Sequence, residues 1–126
     1  MMEPVLLAML VFQIKHYLCD FVLQTRDQIR AKGNYLEMGG IVHAGLHMLG
    51  SIPALLILTT NLELIALLAV AEFVIHYHTD WAKAQLDRHL KLDNTTTLYW
   101  AIFGGDQLIH QSTYLGMVFV VIRYAG

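Results

Sequence analysis

Ionisable side chains recur at intervals of four inside four otherwise apolar stretches of this 126-residue chain. The pairs are His16 and Asp20, His43 and His47, His76 and Asp80, and Asp106 and His110. Residues four apart share one face of an α-helix. Each stretch therefore presents one polar stripe. The stretches predict helices over about 4–25, 38–60, 62–86 and 95–124, with Pro4 in the first turn of the first and Asp93 or Asn94 capping the last. Thr60-Asn61 makes a turn between the two central helices, and Pro53 is placed to kink the second. At a rise of about 1.5 Å per residue, each is long enough for a hydrocarbon core of about 30 Å.

Composition points the same way. Charged residues make up only 14% of the chain and hydrophobic residues 56%; soluble domains carry about 25% charge. Mean hydropathy is +0.51. A compact soluble all-α bundle with a polar core is the alternative. Against it, residues 5–11, 54–58, 64–71 and 117–122 are apolar all round, where a surface helix needs a polar stripe. The expected fold class is all-α, a polytopic membrane protein with four transmembrane helices. The whole chain, residues 1–126, is expected to form one domain. Net charge is −2 with no basic block, so nucleic acid is not an expected partner. A single cysteine, Cys19, excludes an internal disulfide and a cysteine zinc cluster. The first apolar run has only Glu3 before it and no small-residue cleavage site after it, so it belongs to the mature protein rather than to a signal peptide.

Lysine and arginine set the expected orientation. Arg26, Arg30 and Lys32 follow the first helix, and Lys83, Arg88 and Lys91 surround the end of the third. The Thr60-Asn61 turn has no basic residue. Both basic loops should be cytoplasmic and both termini outside. All four stripes then fall in one layer, in the cytoplasmic half of the bilayer.

The two halves also resemble each other. His16-Tyr17-Leu18-Cys19-Asp20-Phe21 and His76-Tyr77-His78-Thr79-Asp80-Trp81 both read His-Tyr-x-x-Asp-aromatic. Each is followed by a basic loop and a helix with a four-spaced pair. A duplicated helical hairpin, residues 4–60 and 62–124, is the expectation, with a pseudo-two-fold axis along the membrane normal.

Such an axis would converge His16, Asp20, His43, His47, His76, Asp80, Asp106 and His110. Ionisable groups in a membrane are costly and usually face the bundle interior. Imidazole and carboxylate together suit a divalent transition metal such as zinc, manganese or iron. So many ligands exceed the needs of one tetrahedral ion, which leaves one or two ions open. Gln24, Lys83 and Gln107 are expected to hydrogen-bond the ligands rather than bind the ion, and Asp80 and Asp106 are candidates for acid–base work. A purely structural hydrogen-bonded network is the alternative, at roughly 0.6–2 kcal/mol per bond. Glu72 lies deepest, as a proton carrier or a neutral acid. His78 and His89 fall off the stripes. Tyr17, Tyr77, Trp81, Tyr99 and Trp100 are expected as interfacial anchors, and Gly104-Gly105 as a point of close helix approach.

The ordered motifs resemble a family of small bacterial and phage membrane proteins, the domain of unknown function 3307. Its pattern is matched by His16, Asp20, Phe21 and Gln24; by His43 and His47; by His76, Asp80 and Lys83; and by Asp106, Gln107 and His110. The resemblance implies an inner-membrane protein and brings no activity with it. Three functions compete: a metal-dependent hydrolase of a lipid or lipid-linked substrate, a metal-ion or proton transporter, and a non-catalytic interaction protein with a structural polar layer.

Overall fold

A computed structural model describes residues 2–125, and among these the chain is helical with no strand. Helix α1 (Met2–Tyr17) runs straight into one wider π turn, Leu18–Val22. A short α2 (Arg26–Ala31) follows, then three long helices: α3 (Met38–Leu58), α4 (Leu62–His89) and α5 (Thr97–Tyr124).

Several boundaries differ from the sequence expectation, each for a local reason. The first helix does not continue to residue 25. The amide of Leu23 closes on the carbonyl of Leu18 at 2.7 Å, the longer-period bond of a π turn. Thr25 is instead extended, and its hydroxyl accepts from the Gln28 amide at 3.1 Å. That cap starts α2, which was expected to be loop. Helix α3 stops at Leu58 because Thr59 is extended. The cap of α5 is Thr96, which accepts from the Tyr99 amide at 3.3 Å, rather than Asp93 or Asn94. Asp93 is used one turn earlier, accepting from the Thr95 amide at 2.8 Å.

Three helices are long and apolar enough to cross a membrane: Met2–Val22, Met38–Leu58 and Leu62–His89. The expected fourth, α5, has the length but not the composition, because Gln107, His110, Gln111, Ser112 and Thr113 interrupt it. The molecule is inside out relative to a soluble bundle. Leu6, Leu10, Leu49, Leu67, Phe119 and Ile122 are exposed, while Lys15, Glu72, Asp80 and all the striped histidines are buried. An apolar exterior around a polar interior is the arrangement that a lipid surrounding favours, since lipid cannot solvate charge.

Two packing features position the site. Near the turn between α3 and α4, α1 and the three long helices contribute to a core that includes Phe12, Leu55, Leu68, Tyr114 and Val118. Phe12 and Tyr114 stack with ring centroids 4.9 Å apart, and Gln13 Nε2 donates to Gln111 Oε1 at 2.7 Å between α1 and α5. At the opposite end, α2 lies against α3. A Cβ on Gly39 would stand 2.8 Å from Ala31 Cβ and 2.9 Å from Asp27 Oδ2, so this approach needs a glycine.

Two expectations are corrected here. Tyr77 is not an interfacial anchor. It is buried, and its hydroxyl accepts from the Leu36 amide at 2.6 Å. It thereby holds Leu36, whose φ of 64° is unusual for a side chain of that size. Gly104-Gly105 is not a point of close approach either. A Cβ at either position would meet nothing within 4 Å.

Candidate metal centre

The helices bring the stripes to one point. His43 and His47 come from α3, His76 and Asp80 from α4, Asp106 and His110 from α5, His16 from the last turn of α1, and Asp20 from the π turn. The π turn matters because it offsets Asp20 from a regular helical register, and such turns recur at functional sites. All eight are nearly or fully withdrawn from solvent.

The Nε2 atoms face the carboxylates. Asp20 Oδ2 is 3.1 Å from His16 Nε2, and Asp20 Oδ1 is 2.7 Å from His47 Nε2 and 3.2 Å from His43 Nε2. Asp80 repeats the arrangement. Its Oδ2 is 3.2 Å from His76 Nε2, and its Oδ1 is 3.1 Å from His110 Nε2. Each aspartate thus faces the histidine one turn earlier on its own segment and a histidine of the next long helix. The imidazoles form a stacked row: His47 on His76 at 3.9 Å and His76 on His110 at 4.0 Å.

Two groups have ligand atoms all within 4.8 Å of one another: Asp20, His43, His47 and His76; and His76, Asp80 and His110. Two atoms sharing one metal at about 2.1 Å are roughly 3–4 Å apart. His43 Nε2, His76 Nε2 and Asp106 Oδ1 add a sharper sign, for they are buried with no hydrogen-bond partner among the described residues. Each nonetheless lies 3.2–3.3 Å from an oppositely polar atom. They are close but not aligned. Buried polar atoms are normally satisfied, and atoms that converge past one another in this way suit a shared cation. The structure therefore positions histidine and aspartate groups able to hold a metal ion.

The far sides of the rings are held by protein, as metal-binding imidazoles usually are. His43 Nδ1 is 3.3 Å from Gln28 Oε1, and His16 Nδ1 is 2.8 Å from the Tyr114 hydroxyl. His16 Nε2 also meets Gln107 Oε1 at 2.7 Å. Both nitrogens of His16 have protein partners, and neither His16 nor Asp106 falls within the two compact groups. His47 Nδ1 is 3.3 Å from Lys15 Nζ. An ammonium only donates, so this contact places the His47 proton on Nε2, facing Asp20. His47 joins a metal shell only if Lys15 turns away.

Of the residues expected to support the ligands, Gln107 does so: its Nε2 donates to Asp106 Oδ2 at 3.1 Å. Gln24 donates to the Asp20 carbonyl at 2.8 Å rather than to a ligand side chain. Lys83 pairs with Asp87 at 2.9 Å; the cation nearest a carboxylate of the centre on the loop side is Lys32, 3.6 Å from Asp80 Oδ2. His78 is exposed and meets the Tyr35 hydroxyl at 2.8 Å.

The sequence reading missed a second buried layer beneath the first. Lys15 Nζ donates to Glu72 Oε1 at 2.6 Å and to Tyr114 Oη at 2.9 Å. Glu72 is not alone at its depth; it is paired with Lys15. The signal was present, since Lys15 adjoins His16 and Glu72 lies one turn from His76. Opposite charges at one depth in an apolar span should pair. Gly50 makes room for the Lys15 stem: a Cβ there would overlap Lys15 Cγ. Gly50→Ala is expected to cost about 1–3 kcal/mol by overpacking, seen as a lower unfolding midpoint in detergent. Gly45→Ala, where a Cβ meets nothing within 4 Å, should leave the midpoint close to the parent value.

A cleft of about 440 Å³ opens from the loop end onto this centre. Asp20, Asp80 and Asp106 line its inner part, and Arg30, Lys32, Lys83 and Arg88 also line it. Arg88 donates to the Gly33 carbonyl at 2.8 Å. Arg30 is held by Asp27 at 2.7 Å and by Glu37, and it keeps the Glu37 carboxyl below its ordinary range, with Asn34 assisting.

Neither the curated proteins nor the solved structures yield a match to this chain. One family model does, over residues 6–125, and its description is protein of unknown function (DUF3307). That match takes in every striped residue of the centre, and the chain belongs to the DUF3307 family.

Proposed function

We propose that this protein is a membrane-embedded, metal-dependent hydrolase that acts on a lipid or lipid-linked substrate. The observation that carries the reading is the set of buried Nε2 and carboxylate atoms without a hydrogen-bond partner among the described residues, next to a cleft that Asp20, Asp80 and Asp106 line together with four cations. In this reading α5 is the fourth span, its 28 residues measuring about 42 Å. Both basic loops are cytoplasmic, and the cleft opens at headgroup depth of the inner membrane. The matched contacts of Asp20 and Asp80 support a duplicated hairpin within one domain.

His76, whose Nε2 has one lone pair, would serve a single ion, held either with Asp20 and His43 or with Asp80 and His110. A bound divalent ion supplies Lewis acidity and makes water a nucleophile near neutral pH. The chain's own part is positioning and proton transfer. Asp80 is engaged by two imidazoles and by Lys32, which suits a ligand held in place. Asp106 is better placed as base: its Oδ1 is unpartnered and it lines the cleft. Asp106 would take a proton from the attacking water as a phosphorus–oxygen bond forms. Asp106 would pass that proton to the departing ester oxygen as its bond to phosphorus breaks. Lys32 and Lys83 would face the phosphate oxygens.

A transporter needs polar groups through both halves of the bilayer. The core of Phe12, Leu55, Leu68 and Val118 is apolar, which weighs against that reading.

Asp106→Asn separates the remaining possibilities. The variant should keep its metal, because Asp106 is outside both compact groups. Its turnover of a phosphate-ester lipid should fall by about 10²–10⁴, the range for a lost general base. Unchanged turnover would remove Asp106 from the chemistry. Wild-type turnover that persists after all metal is stripped would remove the hydrolase reading itself.

A further inference from the structure

The cleft has an apolar neighbour. A groove of about 630 Å³ runs between α4 and α5, lined by Val74, Ile75, Ala82, Ile102 and Ile109 among others. Val74, Ile75 and Ile109 are exposed, so the groove opens sideways to whatever surrounds the helices. Its lining also includes Lys83 and Asp106, and both residues line the polar cleft as well. The two spaces thus adjoin at one ammonium and one carboxylate. Each is of ligand size, about 300–1,000 Å³. Gly105 in the groove wall faces open space, for a Cβ there would meet nothing within 4 Å.

We infer that the α4/α5 groove binds the hydrocarbon chain of an anionic, phosphate-headed lipid, which enters from the bilayer and lays its headgroup in the cleft. This rests on the proposed reading of the cleft as the mouth of the metal centre. Continuity decides the occupant. A packed helix or a second copy would cover the groove but leaves the adjoining polar cleft unaccounted for. An amphiphile has an apolar part for the groove and a polar part for the cleft. The cleft lining carries Arg30, Lys32, Lys83 and Arg88 beside Asp20, Asp80, Asp87 and Asp106; an anionic headgroup would meet the four cations, with the ion of the proposed centre offsetting the carboxylates. A free phosphate ester would use the cleft alone and leave the groove without purpose.

The test is photolabelling in nanodiscs with phosphatidic acid carrying a diazirine in its acyl chain, followed by peptide mapping. Adducts should concentrate on the groove residues of α4 and α5. Gly105→Trp should abolish most of that labelling by filling the groove without a clash. Gly104→Trp, on the same helix but not in the groove lining, should label like the parent. If Gly105→Trp is not recovered folded, Ala82→Phe fills the groove from the opposite wall. Labelling spread evenly over the helices, or unchanged in Gly105→Trp, would overturn the inference. So would displacement of the probe by glycerol 3-phosphate at equal concentration, which would assign the cleft to soluble esters. A wild-type dimer that Gly105→Trp dissociates would assign the groove to a second copy and also overturn it. Metal is measured in the same samples: groove labelling of a wild-type protein that takes up no metal would sink the hydrolase reading and leave the lipid site standing.

Discussion

Replacing His76 with alanine is expected to remove bound metal from the centre altogether. His76 is the one residue common to both compact groups. Its ring is stacked between His47 and His110, and its Nε2 is among the buried atoms without a hydrogen-bond partner. Losing it takes a ligand from each group and opens the row of rings. His110→Ala should leave the group of Asp20, His43, His47 and His76 able to bind. The comparison is a metal titration of the two variants in detergent. His76→Ala should show no stoichiometric uptake, and His110→Ala should retain uptake at one site. Equal uptake by His76→Ala and wild type would mean that the imidazole row is structural.

The second large effect lies below the centre. Lys15 and Glu72 form a salt bridge at 2.6 Å, with their side chains 5% and 1% exposed. Breaking a buried pair from one side leaves a charge with no partner and costs about 3–5 kcal/mol. Lys15→Met should therefore sharply lower the unfolding midpoint in detergent or lipid. The double variant Lys15→Met/Glu72→Leu should recover most of the loss, because both charges go together. The chain supplies its own precedent: at the matching places around the two His-Tyr-x-x-Asp motifs it has Ile75 for Lys15 and Phe12 for Glu72. Lys15→Met also frees His47 Nδ1 from the ammonium. A double variant no more stable than Lys15→Met would show that the layer acts through more than this pair.

How much of this the sequence disclosed follows from the kind of signal each feature leaves. The four-spaced pairs were legible because helical periodicity maps directly onto a face, and the structure brings all eight residues to one layer. The family was legible because its motifs are those same residues in order. The π turn at Leu18–Val22 was not, since it departs from the periodicity by which helices are recognised. Helix α2 was missed because six residues are too few to show a pattern; its cap, Thr25, was hidden inside the predicted end of the preceding helix. Tyr114 and Gln28, which hold His16 and His43, lie off the charged pairs and depend on which helices meet. Tyr77 was misjudged because an aromatic near a helix end suits an interface and a buried hydrogen bond equally well. The open side of Gly104-Gly105 is a fact of tertiary packing that no local pattern records.

The most direct test of the account is the metal content of the full-length protein, purified in detergent without chelators and measured by mass spectrometry before and after transition metal is offered back. One equivalent per chain is expected, retained through gel filtration and absent from His76→Ala. A wild-type protein that takes up no stoichiometric zinc, manganese or iron, while remaining folded, would contradict it and leave the buried histidines and aspartates as a hydrogen-bonded layer that joins the helices.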